Sequence, residues 1–234
     1  MPSAVWLRVR HSFAVLALLA APIAGVVWSF LVPIWTGSMA NEVAAVAAAP
    51  GRFIAGTYAG VVMSFLLVPM VLVLARLLRP RAPIGTDIAT ALCIVGACFH
   101  GGVLIFQLAE TAIIAAVADQ AQATSIVTKM FEHRVFFMVL APFIAFYVGL
   151  AAFAVIMLVR RAVSPWIPLL ILVAIPVELV GPIWKARAFF VMLTVAFTGI
   201  AWTVARLGAL EWSAQREARA SDASANMGMP TMAA

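Results

Sequence analysis

Charged residues are scarce in this chain. Aspartate, glutamate, lysine and arginine together make up 10% of the 234 residues, whereas a soluble domain carries about a quarter. Apolar residues make up 65% of the chain, and the mean hydropathy is +1.11. A soluble fold could not bury this much apolar surface, so the composition predicts an integral membrane protein.

Motifs for catalysis are also missing. The sequence has no Gly-rich phosphate loop, no CxxC, no HExxH and no serine nucleophile elbow. Its two cysteines, Cys93 and Cys98, lie five residues apart in one apolar run and point to different faces, which excludes a disulfide between them. The sequence therefore predicts no catalytic residues and favours a protein that is not an enzyme, although an enzyme acting on lipid or quinone stays open.

Metal ligands are few and badly placed. A b-type haem needs two axial ligands at similar depth, but His11, His100 and His133 fall at three different depths. Ligation of haem by His100 and a methionine is a weaker alternative. The methionines of residues 227–232 resemble a thioether site for Cu(I), yet no histidine or cysteine accompanies them. We predict no metal site and no cofactor, and the sequence argues against haem and copper.

Long apolar runs account for most of the chain. Each is long enough, or nearly so, to cross a hydrocarbon core of about 30 Å as a helix. They cover residues 12–34, 53–78, 87–117, 134–159, 165–183 and 187–208. The sequence predicts an all-α polytopic bundle of about six membrane-spanning helices over residues 1–210. Residues 211–234 are rich in small and polar residues, and we predict that they form a flexible cytoplasmic tail.

The distribution of basic residues predicts the orientation. With the N-terminus inside, the inner connections carry ten Lys and Arg residues and the outer connections carry five. This excess predicts that both termini are cytoplasmic. The abundance of Ala, Val and Arg suggests a bacterial source, and hence the bacterial cytoplasmic membrane. We interpret the net charge of +6 as a signal for topology and contact with membrane lipids, not as a nucleic-acid-binding surface.

Two outer connections have helical character. The Ala-rich residues 41–47 predict a short helix at the membrane interface. Residues 119–132 are polar with helical spacing, and we expect them to prolong the third spanning helix.

Small residues on the second spanning helix predict close helix packing. Gly56 and Gly60 lie four apart and form a flat face where another backbone can approach. This face could be the seam of a homo-oligomer or could pack within the bundle, and we favour packing within the bundle.

Polar residues inside the apolar runs are the best functional signal, because an ionisable group in hydrocarbon costs several kcal/mol. His100, Gln107 and Glu110 share one helical face, and Glu178 falls at middle-to-outer depth. The outer surface adds Glu132, His133, Arg134 and Lys185. These groups either converge on an outward-facing ligand or proton site, for which His100, Gln107, Glu110 and Glu178 are the candidates, or form an internal hydrogen-bonded network.

Four segments carry a resemblance to a known group of proteins. They are Ala49-Pro50-Gly51-Arg52-Phe53, Leu78-Arg79-Pro80-Arg81-Ala82-Pro83, Phe131-Glu132-His133-Arg134 and Pro165-Trp166-Ile167-Pro168. With them the chain resembles bacterial six-helix integral membrane proteins that belong to a domain family of unknown function. The resemblance implies the six-helix bundle, and it implies no activity, substrate or site residue.

Two functions remain open. We expect a non-catalytic accessory or interaction subunit of a membrane complex, with a membrane-protein partner or a second copy of the chain docked on its helices. The alternative is a small transporter or ligand-binding bundle with an outward-facing polar pocket.

Overall fold

A computed structural model describes residues 4–32, 38–180 and 184–227, and it describes the side chains of these except for residues 4–8, 10 and 208–227. Within these ranges the chain is helical throughout, with short connections and no strand. The helices are α1 (Ala4–Leu31), α2 (Met39–Ala48), α3 (Pro50–Leu78), α4 (Pro83–Ala116), α5 (Gln120–Glu132), α6 (Arg134–Val159), α7 (Trp166–Val180) and α8 (Lys185–Met227).

Among the described residues, five helices are long and apolar enough to cross a membrane. They contain the stretches His11–Leu31, Pro50–Leu78, Pro83–Ala116, Arg134–Val159 and Lys185–Leu207. The sixth predicted run forms α7, which has 15 residues and spans roughly 22 Å. The end of that run, residues 181–183, lies outside the described residues. The multi-pass helical fold is confirmed, and the sixth crossing stays a prediction.

Six of the helices form a closed ring. In the order α1, α3, α4, α6, α7 and α8, each helix packs against the next, and α8 returns to pack against α1. Neighbouring helices run antiparallel. For α3 and α4, Arg79 pairs with Asp87 at one end and Gly60 lies against Leu104 nearer the other. For α4 and α6, Cys93 lies against Gly149 and Gly102 against Val139. The end of α1 meets the early parts of α3 and α8 at Trp28–Gly60 and Ser29–Arg187, and the start of α7 meets a later part of α8 at Ile167–Gly199. The ring therefore encloses a central space that every spanning helix can line.

The two ends of the ring differ. At one end the chain turns tightly, between α3 and α4 at residues 79–82 and between α6 and α7 at residues 160–165, and we call this the turn end. At the other end α2 connects α1 to α3, and α5 connects α4 to α6. We call this the cap end, because α2 and α5 pack on each other through Val43, Ala123 and Val127.

The cap helices begin at polar side chains that bind backbone N–H groups. Ser38 accepts a hydrogen bond from the Asn41 N–H at 3.2 Å, and Asp119 accepts one from the Ala121 N–H at 3.0 Å. The short helix that the sequence predicts over residues 41–47 is confirmed as α2. The expected extension of the third spanning helix through residues 119–132 is wrong, since the chain leaves the helix at Val117 and Asp119 starts α5.

The apolar core fills the turn-end half of the ring. Leu74, Phe153, Met157 and Phe197 are fully buried there. On the outside of the ring, large apolar side chains such as Phe65 are exposed, as expected for a surface in contact with lipid. The domain boundary predicted after residue 210 falls within α8, and the flexibility of the tail stays a prediction.

Candidate ligand cavity

The cap-end half of the ring encloses a cavity of about 320 Å³. All six ring helices and α2 contribute to its wall. One residue from each, in chain order, is Trp28, Glu42, Met63, Gln107, Phe143, Glu178 and Lys185. Because the apolar core closes the turn-end half, the cavity ends near the middle of the ring.

Aromatic rings form the floor of the cavity. Phe143 and Tyr147 pack edge to face with ring centroids 5.1 Å apart, and Tyr147 packs in the same way on Phe189 at 5.7 Å. Phe189 continues the series to Phe190 at 5.0 Å. Edge-to-face pairs hold one another in fixed orientations. The floor is therefore an aromatic and mostly apolar surface, with the Tyr147 hydroxyl as a polar group close enough to Glu178 to interact with its charge.

Polar and charged side chains form the mouth of the cavity. Gln107 lies in the cap-end third of α4, Glu178 near the end of α7, and Lys185 and Arg187 in the first turn of α8. Glu42 on α2 covers the mouth from above. The cavity is thus amphipathic, with a polar mouth at the cap end and an apolar floor in the middle of the ring.

Four polar atoms in the cavity wall are buried without a hydrogen-bond partner in the described part of the chain. They are Trp28 Nε1, Glu42 Oε2, Gln107 Oε1 and Glu178 Oε2. A buried polar atom without a partner costs about 1–3 kcal/mol, and most buried polar atoms in folded proteins have a partner. A ligand that reached these atoms would recover that free energy.

The two cations of the mouth are held by neighbouring groups. Arg187 Nε donates a hydrogen bond to the Ser29 carbonyl at 3.2 Å, and its guanidinium lies over the Phe30 ring, 4.9 Å from the centroid. Among the described residues, no contact uses the terminal nitrogens of Arg187. These nitrogens can therefore bind another acceptor. Lys185 lies close enough to Glu178 for their charges to interact.

His100 lies at the level of the floor, and its polar atoms are partly satisfied by the protein. Its Nδ1 lies 2.6 Å from Ser64 Oγ, and Ser64 Oγ donates to the Gly60 carbonyl at 3.1 Å. Since a hydroxyl has one hydrogen, this arrangement assigns the imidazole proton to Nδ1 and leaves Nε2 as an acceptor. Trp28 and Phe143 flank the ring.

Glu110 is fully buried but does not line the cavity. Neither of its carboxylate oxygens has a hydrogen-bond partner among the described residues, and Glu42 is close enough for their charges to interact. Burial also raises the pKa of Glu42 above its ordinary value, because it disfavours the carboxylate form. Of the four candidate site residues, the cavity brings together His100, Gln107 and Glu178, and Glu110 lies outside its wall.

The predicted outer-surface charges separate into two groups. Glu132, His133 and Arg134 are exposed and do not line the cavity, and His133 Nδ1 accepts the Val135 N–H at 3.2 Å as the cap of α6. Lys185 lies in the mouth of the cavity instead.

The predicted packing glycines face helix α1. A Cβ on Gly60 would lie 2.8 Å from Trp28 Cδ1 and 2.9 Å from Leu104 Cδ2, and one on Gly56 would lie 3.0 Å from Leu31 Cβ. Both glycines are buried, so they serve contacts within the ring. Gly60 in particular makes the room that lets Trp28 reach the cavity wall.

Sequence reasoning missed Glu42 and Trp28 as wall residues. Glu42 lies in a connection that reads as surface, and only the packing of α2 over the ring brings it to the cavity. Trp28 reads as an ordinary apolar residue of α1. The signal that could have indicated Glu42 is its position as an isolated acid in an otherwise Ala- and Val-rich segment.

No cluster of three or more His, Cys, Asp or Glu residues capable of holding a metal occurs among the described residues. The prediction that the chain takes no cofactor remains a prediction. The side chain of Met227 and residues 228–234, which carry the methionines of the tail, lie outside the description.

Comparison with models of known protein families, with curated proteins and with solved structures finds no match for this chain. Its function has to be argued from the cavity and the ring.

Proposed function

We propose that this multi-pass membrane protein binds a small amphipathic molecule in the cavity, reached from the cap end. The amphipathic wall carries the proposal: polar atoms without partners stand at the mouth, above a rigid aromatic floor. Small-molecule sites have this character, mostly apolar with a few polar groups that fix orientation. The sequence favoured an accessory subunit, but the apolar outer surface surrounds the whole ring and serves lipid contact equally well.

We also propose that α7 is the sixth crossing. Its first turn packs near Gly199 in the turn-end half, and Glu178 near its other end lies in the mouth beside the start of α8. The helix therefore runs from one end of the ring to the other. Its 15 residues are fewer than a full span uses, and Ser164 before the helix and Glu178 near its end can reach the interfaces.

Charge supports an orientation with the cap end outside. When the tail is counted with the turn end, that end holds ten Lys and Arg residues against four Asp and Glu, whereas the cap end holds five of each. The positive-inside rule then places the turn end and both termini in the cytoplasm. In a bacterial cytoplasmic membrane the cavity would face the extracytoplasmic side.

Binding rather than chemistry is the activity that the cavity supports. Its wall offers carboxylates, an amide, an imidazole and two cations, and the serine that lines it, Ser29, donates its hydroxyl to the Val26 carbonyl at 2.9 Å. Transport would additionally require α2 and the core to open in turn, and binding requires neither.

A cavity-filling substitution tests the proposal. Ala186 lines the cavity, so Ala186→Phe should fill it, while Ala205→Phe places the same side chain on the exposed side of α8. Each protein is purified from its native membrane in mild detergent, and the small molecules it retains are identified by mass spectrometry. We expect one compound in the wild type and Ala205→Phe and its loss from Ala186→Phe. Identical profiles for all three, or a protein partner and no small molecule, would contradict ligand binding.

A further inference from the structure

We infer that the ligand is a zwitterion that carries an ammonium group and an anionic group on one apolar body, as a free amino acid with a large apolar side chain does. The inference rests on the proposed function and specifies the chemistry of the molecule bound. It follows from the presence of both signs of charge at the mouth of a cavity that is apolar below.

Three acceptor atoms suit the ammonium group. Glu42 Oε2, Gln107 Oε1 and Glu178 Oε2 are all buried in the wall without a partner among the described residues. A primary ammonium has three N–H donors and no acceptor, so it can donate to carboxylate and amide oxygens such as these. Hydrogen bonds to ionised groups are also the stronger kind. A hydroxyl on the ligand has a single hydrogen to donate.

The anionic group finds its partners on α8. Lys185 and Arg187 begin that helix, where the positive end of the helix dipole adds to their charge. Since Arg187 uses Nε for the Ser29 carbonyl, its terminal nitrogens can bind a carboxylate. The cation–π contact with Phe30 holds the guanidinium in place for this role.

Ligands with a single charge fit less well. A simple organic cation would meet Lys185 and Arg187, and a simple anion would meet Glu42 and Glu178, so each would suffer repulsion that a zwitterion avoids. The volume of about 320 Å³ lies at the lower end for small-molecule sites. It suits one ring or a short alkyl chain over the aromatic floor, and it is too small for a lipid with two acyl chains.

Three probes with the same phenyl ring test the inference. Phenylalanine carries both charges, phenethylamine only the ammonium, and 3-phenylpropanoate only the carboxylate. Their binding is measured by calorimetry on the full chain in nanodiscs made of phosphatidylcholine and phosphatidylglycerol. We expect phenylalanine to bind at least about tenfold more tightly than either single-charge probe, since each lost charge pair is worth about 1.4 kcal/mol or more.

Charge variants assign each half of the ligand. Glu178→Gln should weaken the preference for phenylalanine over 3-phenylpropanoate, and Arg187→Gln should weaken its preference over phenethylamine. Arg187→Lys should keep that second preference. Glu132→Gln, at an exposed position away from the cavity, should change nothing. Because each variant is expected to alter one ratio and spare the other, a general loss of folding cannot produce the pattern.

The failures are distinguishable. The zwitterion inference is wrong if either single-charge probe binds as tightly as phenylalanine. It is also wrong if the variants do not alter the affinity of phenylalanine relative to the two single-charge probes. In both cases the cavity still binds a ligand. If no probe binds although the native protein retains a compound that Ala186→Phe loses, the zwitterion inference is wrong and the proposed ligand binding stands. If no probe binds and no compound is retained, the proposed function falls with it.

A lipid is the second source of the same chemistry. Phosphatidylethanolamine carries an ammonium and a phosphate, whereas phosphatidylcholine has no N–H to donate. If phosphatidylethanolamine in the nanodisc abolishes phenylalanine binding, the zwitterion chemistry stands and a lipid headgroup supplies it. If it has no effect, the free molecule is the ligand, as the volume favours.

Discussion

Ser64 on α3 and His100 on α4 share a hydrogen bond of 2.6 Å between Oγ and Nδ1, in the buried interior of the ring. The pair joins two neighbouring spanning helices at the level of the cavity floor. It explains how a histidine tolerates this depth, because the serine satisfies one ring nitrogen.

Removing the serine hydroxyl should destabilise the protein. Ser64→Ala leaves His100 Nδ1 buried without its partner, which costs about 1–3 kcal/mol. Thermal unfolding in detergent measures the loss, and Ser125→Ala, at an exposed position on α5, is the control. Equal unfolding temperatures for the two variants would show that the hydrogen bond is not formed.

Two glycines on α4 should respond oppositely to alanine. A Cβ on Gly96 would collide with the backbone of Phe146, whereas one on Gly101 would have Ser64 Cβ as its nearest neighbour, at 3.9 Å. Alanine favours a helix over glycine by about 1 kcal/mol, so Gly101→Ala should be neutral or stabilising. Gly96→Ala should destabilise by about 1–3 kcal/mol or more, because α4 and α6 must separate.

Denaturation of both variants in the same detergent gives the comparison. A Gly96→Ala protein as stable as Gly101→Ala would contradict the close approach of α4 and α6.

Labelling of single cysteines should establish the topology. Pro80→Cys and Ser164→Cys lie at the turn end, and Gln122→Cys and Trp184→Cys lie at the cap end, all at exposed positions. A membrane-impermeant maleimide on intact cells should label the second pair, and the first pair only after permeabilisation, in a background where Cys93 and Cys98 are replaced.

The position of Trp184→Cys decides the number of crossings. If it is labelled from the same side as Ser164→Cys, α7 does not cross the membrane. If all four sites show reversed accessibility, the orientation is wrong and the ring is unaffected.

Glu42 should make stability depend on pH. Burial raises its pKa in the folded state, so the folded protein favours the protonated form. This contribution is fully present below the unfolded pKa and is lost as the pH rises through the folded value. Glu42→Gln, which cannot ionise, should therefore gain stability relative to the wild type as the pH rises above the ordinary pKa of a glutamate.

Unfolding temperatures at several pH values give the difference between the two proteins. The control is Glu132→Gln, whose side chain is exposed. A difference for Glu42→Gln that stays constant, or shrinks, as the pH rises would contradict the burial of Glu42.

Hydropathy and the helix period are enough to predict several of the residues in the candidate site. Gln107, Glu178 and Lys185 stood out because polar residues in apolar runs are costly, and their depth along the helices was enough to predict an outward-facing group. The burial of Gly60 followed from its spacing to Gly56. These inferences need only the helix period and the membrane thickness.

Other features depend on tertiary packing, which no local pattern encodes. Glu42 reaches the cavity only because α2 folds over the ring and packs on α5. Glu110 shares a helical face with His100, yet it does not line the cavity. The separate helix α5 depends on the chain leaving α4 at Val117, between two segments that both favour helix.

A density map of the protein purified from its native membrane tests the central claim most directly, because a bound molecule would be visible in the cavity. The account predicts non-protein density at the mouth, within hydrogen-bonding distance of Gln107 and Glu178, with an apolar part over Phe143 and Phe189. A cavity filled by side chains of the protein itself, with Glu178 hydrogen-bonded to them, would contradict it.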